Sequence, residues 1–398
     1  MDYAHSINHI EHDVTYVAAA EHLSTTPRGV PADRIERTTS GDTATAVLAA
    51  VTERPKPDLV IGLSEFDLLP AAQVRESLGV PGATVQETKS VRDKVLMKSL
   101  VAAAGLRTPR FAALPGALER SSPLPWAGRT VLKPLSGASS KWTYAHPTLS
   151  SALDTARRGE LPAPVTEFEV EEFVEGPIVH VDGLLAHGRP LVIQASRYVG
   201  DCLSYVTGAA LGSVQIDTTA WAEWTMRCLA AVGVEDGPFH LEAIESSDGP
   251  VFLEVGARCG SRGTVDTLEL ATGVRLPGSA LRLLIEGPES IPAARIPRSD
   301  ERYGWFALPG HHLPSTYCRI IGEEPFRDDV LIRRWNQARP DTPVKHTLSY
   351  SLAHVPLGGL LGPASTTVLE DYLDRLFRSV QVVPHGPPVP TQATRVST

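Results

Sequence analysis

The stretch FHLEAIESSDGPVFLEVGARCGS, residues 239–261, consists of two apolar runs separated by a turn rich in serine and glycine. This pattern predicts an antiparallel β-hairpin joined by SSDGP. On that reading Glu242 and Glu254 lie on neighbouring strands, each preceded by apolar residues that anchor its strand. Two carboxylates on facing strands repel each other unless a cation lies between them. The pair therefore suits Mg²⁺, which takes one or two carboxylates and completes its shell with phosphates and water.

Arg258 follows Glu254 by four residues, at the end of the second predicted strand. Its forked guanidinium suits a transferring phosphoryl group or a carboxylate. An exposed strand face with charges directed at water is an alternative reading for either glutamate alone. It explains both glutamates and the arginine together less well. The hairpin is therefore a candidate metal and phosphate site.

The composition is that of a soluble globular protein. The chain has 398 residues, 42% hydrophobic and 21% charged, with a net charge of −9, and its length suggests two or three domains. The negative charge and the absence of any run of five basic residues argue against nucleic acid and anionic membranes as partners. The four cysteines show no CxxC spacing, so free thiols in a reducing compartment are expected. With no apolar run of about 18 residues and no signal-peptide pattern in MDYAHSINHIEHD, we expect a cytoplasmic protein.

Changes of pattern divide the chain into three parts. Over 14–85, short apolar runs alternate with helical stretches, which is typical of a βαβ arrangement with a parallel sheet. The runs VTYVAAA (14–20) and DLVIGLS (58–64) are the expected strands. Residues 129–265 are rich in strands and Gly/Ser turns and include a second predicted hairpin, VDGLLAHGRPLVIQ. A proline-rich connection beyond about 287 leads into a last α/β segment, whose Pro/Thr-rich tail we expect to be disordered.

Several common catalytic motifs are absent from the sequence. It contains no GxxxxGK[ST], no GxGxxG after the first strand, no GxSxG elbow and no HExxH, so a P-loop and a dinucleotide Rossmann site are not supported. His5, His9 and His12 would share one face of a helix, where three imidazoles could hold a metal. At a chain terminus, a solvated surface is the better interpretation of these three histidines.

Two lysines have the setting of a polyphosphate site. Lys133 ends an apolar strand in RTVLKPLSGASSKW, just before a loop of small residues whose N–H groups could approach phosphate oxygens. Lys94 lies early in the helix predicted over 90–106, where a surface lysine is the simpler reading of Lys94 alone. The strand EFEVEEFVEGP (167–177) is either an acidic edge strand or, through its backbone N–H and C=O groups, a purine-binding strand. The residues alone leave that choice open.

The order of these features matches a known family. RDK, Lys-Pro before a small-residue loop, EEFVEG, HLE and LEVGAR follow one another as in the ATP-grasp carboxylate–amine ligases, which the chain resembles over roughly residues 14–285. The N-terminal PDLVIGLSEFDLLPAAQVRESLGVPG resembles the amino-acid ligase branch in particular. The resemblance implies an α/β ATP-grasp fold. The first expected part is an N-terminal parallel-sheet domain over 1–88. An ATP-grasp domain follows over 89–287, with a small α+β lid at about 129–186 and an antiparallel catalytic sheet. A C-terminal α/β segment over 288–398 completes the catalytic domain and ends in a disordered tail after 385.

The resemblance also implies a role for each candidate residue. Two lysines and the loop 136–141 would bind the ATP phosphates, the interdomain strand would meet adenine, two glutamates would bind Mg²⁺, and an arginine would steady the transferred phosphoryl group. The residues so implied are Lys94, Lys133, Ser136, Gly137, Ser139, Ser140, Glu171, Glu172, Val174 and Glu175 for ATP, Glu242 and Glu254 for the metal, and Glu254 and Arg258 for catalysis.

Two positions depart from the family's pattern. The family's ribose-binding glutamate, seven residues after the first glutamate of the hinge, is Ile178 here, which leaves ribose contact to Glu175. The family's E-x-N-x-R motif has Gly256 in place of the metal-ligating asparagine, so a second Mg²⁺ would depend more on Glu254 and water. Both lysines, both glutamates and the arginine remain, so the resemblance still implies an active enzyme.

The activity implied by the resemblance is ATP-dependent ligation of a carboxylate to an amine through an acyl phosphate, with ADP and phosphate released. The expected cofactors are ATP and two Mg²⁺ ions, with Mn²⁺ as an alternative metal. The expected partners are a small-molecule carboxylate and amine, by analogy an amino acid or small peptide-like acid of specialised metabolism, with Arg197 and Arg262 as candidate contacts. Two alternatives stay open: an ATP-grasp enzyme of the purine-biosynthesis or carboxylase type, and a non-catalytic or protein-modifying nucleotide-binding protein. A homodimer is compatible with the sequence.

Overall fold

A computed structural model describes residues 3–120 and 122–386 of the chain. The tail that the sequence predicts to be disordered lies, from residue 387 on, outside the described residues. The chain forms two compact units. The first runs up to Arg197 and includes Ile216–Gly260 and Leu268–Ile296, and the second comprises Tyr198–Gln215, Ser261–Thr267 and the residues from Pro297. None of the described helices is both long enough and apolar enough to span a membrane.

The helices and strands of the described residues follow one another in mixed order. The helices are α1 Tyr3–Ser6, α2 Ala20–Leu23, α3 Thr43–Val51, α4 Leu68–Leu78, α5 Val85–Ser90, α6 Lys94–Ala103, α7 Leu114–Glu119, α8 Leu149–Arg157, α9 Cys202–Val206, α10 Thr219–Val232, α11 Arg262–Thr272, α12 Leu276–Glu286, α13 Glu324–Arg327 and α14 Thr366–Ser379. The strands are β1 Thr15–Ala18, β2 Asp33–Glu36, β3 Phe111–Ala113, β4 Thr130–Pro134, β5 Tyr144–His146, β6 Phe168–Glu172, β7 Ile178–Ala186, β8 Arg189–Val199, β9 Leu211–Gln215, β10 Gly237–Ser246, β11 Gly249–Gly256, β12 Arg302–Leu308, β13 Tyr317–Ile321, β14 Ile332–Gln337, β15 Leu357–Ala364 and β16 Gln381–His385.

The first unit begins with a small parallel pair, β1 and β2. The parallel arrangement and β1 are as predicted, whereas β2 is not predicted from the sequence. The strand predicted over 58–64 is wrong, because this segment has no strand partner among the described residues. The guanidinium of Arg75 donates to the Val60 carbonyl at 2.9 Å. A Cβ at Gly62 would lie 2.7 Å from the Asp67 carbonyl oxygen. The segment therefore packs directly against the start of α4, and a side chain rather than a strand binds the Val60 carbonyl.

A second part of the first unit is a four-stranded antiparallel sheet in the order β3-β6-β4-β5. Its apolar side chains pack with those of α7 and α8 into a separate core; the largest are Leu114, Trp126, Leu132, Leu149, Phe168 and Val170. Because side chains alternate along a strand, Lys133, Glu169 and Glu171 lie on the face opposite to that core. These three charged residues are nevertheless buried.

The third part of the first unit is an antiparallel sheet in the order β11-β10-β7-β8. Both hairpins predicted from the sequence, β7-β8 and β10-β11, are confirmed. One face packs against α6 and α10 through a core that includes Met97, Val181, Leu229, Phe239 and Phe252. Gly183 in β7 admits this packing, because a Cβ there would lie 2.3 Å from the Val192 carbonyl oxygen and 2.7 Å from the Phe239 ring.

The second unit contains antiparallel strands in the order β9-β12-β15-β14 and the antiparallel pair β13-β16. Helix α14 packs on the first group through Leu373 and Leu376, which share a core with Val214, Phe306 and Leu361. The hydroxyl of Ser365 caps this helix by accepting the Val368 N–H. The second unit therefore has a hydrophobic core of its own.

Candidate active site

The two glutamates of the predicted metal site face each other. Glu242 of β10 and Glu254 of β11 are directly paired across the antiparallel hairpin, and a β-bulge follows Glu242. A contact with α6 holds β11 at this point, since the Val255 N–H donates to the Met97 sulfur at 3.2 Å. The expectation that the carboxylates lie on facing strands is thus confirmed.

Lys94, the first residue of α6, reaches this carboxylate pair. Its ammonium lies 3.0 Å from Glu254 Oε2, and its backbone N–H donates to the Leu135 carbonyl at 3.0 Å. Burial opposes ionisation of Glu254, but Lys94 and Lys133 outweigh burial and lower the pKa of the carboxyl to about 2. Lys94 is itself buried, so the reading of Lys94 as a surface lysine is wrong.

Lys133 and Glu171, both predicted nucleotide contacts, form an ion pair of 2.6 Å between Nζ and Oε1. A third residue, Lys98, joins them: its ammonium lies 2.5 Å from Glu171 and 2.8 Å from Glu169, with none of these groups appreciably exposed. Lys133 and Lys98 together outweigh burial and hold the pKa of Glu171 below its usual value. Three lysines and three glutamates are thus neighbours, counting Lys94 and Glu254.

Glu169 is the least satisfied member of this charged cluster. Its Oε1 accepts from Lys98 at 2.8 Å, while its Oε2 is buried and has no hydrogen-bond partner in the described part of the chain. Burial raises the pKa of the Glu169 carboxyl despite the two lysines. A buried acceptor without a partner is unusual in folded proteins. The atom is therefore suited to a donor from a bound molecule.

Arg258, the predicted phosphoryl contact, bonds through Nε to Glu65 and through Nη1 to the Cys259 carbonyl at 2.9 Å. Glu65 also pairs with Arg92, so one carboxylate holds two guanidiniums. Gly256 has a steric reason in this arrangement: a Cβ there would lie 3.0 Å from Glu65 Oε2 and 3.3 Å from Arg258 Cγ. The glycine leaves room for the Glu65–Arg258 pair beside β11.

Two histidines and an aspartate lie next to the glutamate pair. Asp182 of β7 is paired across the sheet with His240 of β10, and His180 of β7 with Glu242. Asp182 Oδ2 lies 2.6 Å from His180 Nδ1, and its Oδ1 lies 2.8 Å from His240 Nδ1. Burial disfavours the charged form of His240, but Asp182 outweighs it and raises the pKa of the imidazole to about 9.

Other predicted nucleotide contacts have protein partners outside this cluster. Glu172 accepts the Arg110 N–H at 2.9 Å, and Glu175 pairs with Arg129. Val174 is partly buried. In the loop of Ser136, Gly137, Ser139 and Ser140, the two last serines have φ of 64° and 52°, the left-handed region that non-glycine residues seldom adopt. The nucleotide roles of these residues stay predictions.

The substrate and terminal candidates are held by neighbours. Arg197 bonds to Glu245 Oε2 at 2.8 and 3.1 Å, and Arg262, in the second unit, bonds to Asp266 at 3.0 Å. His9 is buried, against the solvated reading, with its ring nitrogens 2.8 Å from the Tyr16 hydroxyl and 2.9 Å from the Ile7 carbonyl. In residues 3–120 and 122–386, the grouping of metal-ligand side chains is instead His180, Asp182 and His240.

Sequence reasoning missed Glu65, Arg92, Lys98, Glu169, His180, Asp182 and His240. Two signals were available. Lys98 follows Lys94 by four residues and so lies on the same face of α6. The patterns H-x-D in β7 and H-x-E in β10 alternate with apolar residues, which places both polar pairs on one strand face. Glu65 and Arg92 carry no such local signal.

The donor chemistry fits a metal–polyphosphate complex. Two facing carboxylates offer the oxygen ligands that Mg²⁺ prefers. Lysine ammonium groups beside them are suited to phosphate oxygens, and the guanidinium of Arg258 to a phosphoryl or carboxyl group. The residues present therefore fit both ATP and Mg²⁺.

Comparison with known proteins supports the architecture. No protein-family model and no curated protein sequence matches this chain. Solved structures do: an L-amino acid ligase from Bacillus licheniformis superposes with a TM-score of 0.69 at 19% identity, over 94% of this chain and 99% of that one. A phosphoribosylglycinamide synthetase from Anaerococcus prevotii superposes with a TM-score of 0.61 at 12% identity, over 94% of this chain and 100% of that one. An N5-carboxyaminoimidazole ribonucleotide synthetase from Thermotoga maritima superposes with a TM-score of 0.60 at 14% identity, over 94% of this chain and 93% of that one. The chain has the ATP-grasp fold, as predicted.

Proposed function

We propose that this chain is an ATP-dependent carboxylate–amine ligase that forms an amide bond through an acyl phosphate. The observation that carries the proposal is the facing pair Glu242 and Glu254, with the ammonium of Lys94 3.0 Å from Glu254. Lys133 contributes to the same electrostatic cluster. The likeness in fold to an L-amino acid ligase supports an amino acid or small peptide-like acid as the carboxylate substrate. Small-molecule substrates, a cytoplasmic location and a homodimer stay predictions.

Glu242 and Glu254 would hold Mg²⁺, which would supply charge neutralisation for phosphoryl transfer. The residues around it have three tasks. Lys94, whose ammonium lies 3.0 Å from Glu254, would bind a phosphate oxygen of ATP. Lys133, which is buried, would supply positive charge to the phosphate site. Arg258 aligns the phosphoryl acceptor, with Glu65 fixing its guanidinium.

Formation of the amide needs exclusion of water. The carboxylate oxygen attacks the terminal phosphorus, the bond to ADP breaks, and the amine then displaces phosphate from the acyl carbon. Water would compete with the amine for that carbon, so a site that closes during turnover is expected. The loop 136–141, with two successive left-handed serines, is our candidate for the closing segment.

Two rival activities are outcomes of the same test. We would measure ADP release over a matrix of carboxylates and amines and identify each product by mass spectrometry. ADP release that needs both substrates, with a product equal to their condensation, supports the proposal. Turnover with bicarbonate and no amine indicates a carboxylase-type enzyme, and nucleotide binding with no turnover on any small acid indicates a protein-modifying or non-catalytic role.

Glu254→Gln should abolish turnover. The control Glu223→Gln, which changes an exposed residue of α10, should not.

A further inference from the structure

His240 lies between two carboxylates. On one side Asp182 Oδ1 lies 2.8 Å from its Nδ1, and on the other Glu242 Oε1 lies 3.4 Å from its Nε2. The strand register fixes both neighbours, since Asp182 is paired with His240 across β7 and β10 and Glu242 follows His240 by two residues on the same strand face. The ring therefore presents Nε2 to a member of the glutamate pair.

The distance from Nε2 to Glu242 is compatible with a shared ligand sphere. At 3.4 Å it is longer than the 2.7–3.2 Å of a usual N–H···O hydrogen bond. Two atoms bound to one metal ion at about 2.1 Å, with an angle of about 90–110° between them, are roughly 2.9–3.4 Å apart. The observed separation thus matches two ligands of one cation. An imidazole whose other nitrogen is held by a carboxylate is also the usual form of a histidine ligand.

The rest of the sheet face is compatible with this role. His240 is paired with Gly256 across β10 and β11, so β11 offers no side chain at that register. Both carboxylate oxygens of Asp182 have a histidine partner: Oδ1 contacts His240, and Oδ2 lies 2.6 Å from His180 Nδ1. Both histidines and the aspartate are at most 8% exposed. The ring of His240 is consequently held on one edge, with its other edge directed at Glu242.

From these contacts we infer that His240, through Nε2, is the third protein ligand of the divalent cation bound by Glu242 and Glu254, and that Asp182 positions its ring. The inference rests on the proposed function, because that function places the cation at the two glutamates. One consequence concerns metal preference. Mg²⁺ favours oxygen ligands alone, whereas Mn²⁺ and the later divalent metals accept imidazole. The site should bind Mn²⁺ more tightly than Mg²⁺.

The test is pulsed electron paramagnetic resonance of Mn²⁺ bound to the full chain, alone and with ADP. Protein is prepared with natural-abundance histidine and with ¹⁵N-histidine, so that nitrogen from ADP is not mistaken for imidazole. We expect directly coordinated ¹⁴N coupling that is replaced by ¹⁵N coupling in the labelled protein. His240→Gln should remove the coupling, and Asp182→Asn should raise the Kd for Mn²⁺ by about 10–100-fold. His187→Ala, with a side chain 80% exposed, is the matched control and should change neither.

The outcomes separate this inference from the proposed function. Mn²⁺ that binds, is lost in Glu254→Gln and shows no histidine nitrogen coupling overturns the inference alone; His240 is then an ionic partner of Glu242. Coupling that persists in Glu242→Gln also overturns it, because the ion would belong to a separate site of His180, Asp182 and His240. Failure to bind Mn²⁺ with or without ADP contradicts both. The labelled wild-type protein gives the decisive reading even if His240→Gln does not fold.

Discussion

Replacement of Lys98 by methionine tests the buried charge cluster most severely. Lys98 is fully buried and is the closest cationic partner of Glu169 and Glu171, at 2.8 and 2.5 Å. Methionine keeps the length of the side chain but leaves two buried carboxylates with Lys133 alone, which is 3.9 Å from Glu169. Removing one partner of a buried ion pair typically costs about 3–5 kcal/mol. We expect a loss of that size in the stability of the four-stranded sheet β3-β6-β4-β5.

The loss should depend on pH in a defined direction. Burial already raises the pKa of Glu169, and without Lys98 it rises further. An acid whose folded-state pKa lies above its unfolded value loses stability as pH rises, since the folded state binds the proton more tightly. The deficit of Lys98→Met relative to wild type should therefore shrink when the pH is lowered from 8 to 5. Glu169→Gln in the same chain should recover part of the loss at pH 8, because it removes the unpaired charge.

Amide hydrogen exchange of peptides from β6 measures this stability locally, so the two units need not unfold together. Arg157→Ala is the matched control: it breaks an exposed ion pair with Asp154 in the same part of the chain, where about 0.5 kcal/mol or less is expected. A change in β6 protection after Lys98→Met no larger than that of Arg157→Ala would refute the reasoning.

Three further predictions follow from single contacts. Gly183→Ala should lower the free energy of unfolding by about 3 kcal/mol or more, because its Cβ would lie 2.3 Å from a carbonyl oxygen. Gly116→Ala, with open space around this position in α7, should be neutral or slightly stabilising. Equal urea midpoints for the two variants would contradict this prediction. Glu65→Gln should destabilise the first unit by about 1.5–3 kcal/mol, since it removes the carboxylate that pairs with both guanidiniums, and an unchanged urea midpoint would count against the pairing. Burial raises the pKa of Cys259 to about 12, so iodoacetamide at pH 8 should label it more than about tenfold more slowly in the native than in the urea-unfolded chain; similar rates would show an accessible thiolate.

The parts of the site that the sequence predicts are those set by local periodicity. The hairpin of Glu242 and Glu254 follows from two alternating apolar runs and a turn, all within about 20 residues, so the facing carboxylates could be derived without the fold. Lys133 at a strand end followed from its flanking residues in the same way. The segment 58–64 has a continuous apolar run without clear alternation, and such a run does not distinguish a strand from a segment packed on a helix.

The missed residues meet only through the tertiary fold. Glu65 and Arg258 are 193 positions apart, and Lys98 is 71 and 73 positions from its two glutamates. A surface reading of Lys94 failed for the same reason, since its carboxylate partner lies on β11. Asp182 and His240 become neighbours because β7 and β10 pair directly, although β8 and β9 intervene in the chain. Strand order of this kind is not encoded in any short stretch of sequence.

Transfer of oxygen from substrate to phosphate tests the central claim most directly. A carboxylate substrate identified by ADP release is labelled with ¹⁸O in both carboxyl oxygens and turned over with ATP and an amine. Because the carboxylate oxygen attacks the terminal phosphorus and leaves with phosphate, we predict one ¹⁸O in each phosphate released and one in the amide product. Released phosphate without ¹⁸O, alongside the same amide, would contradict an acyl-phosphate ligase.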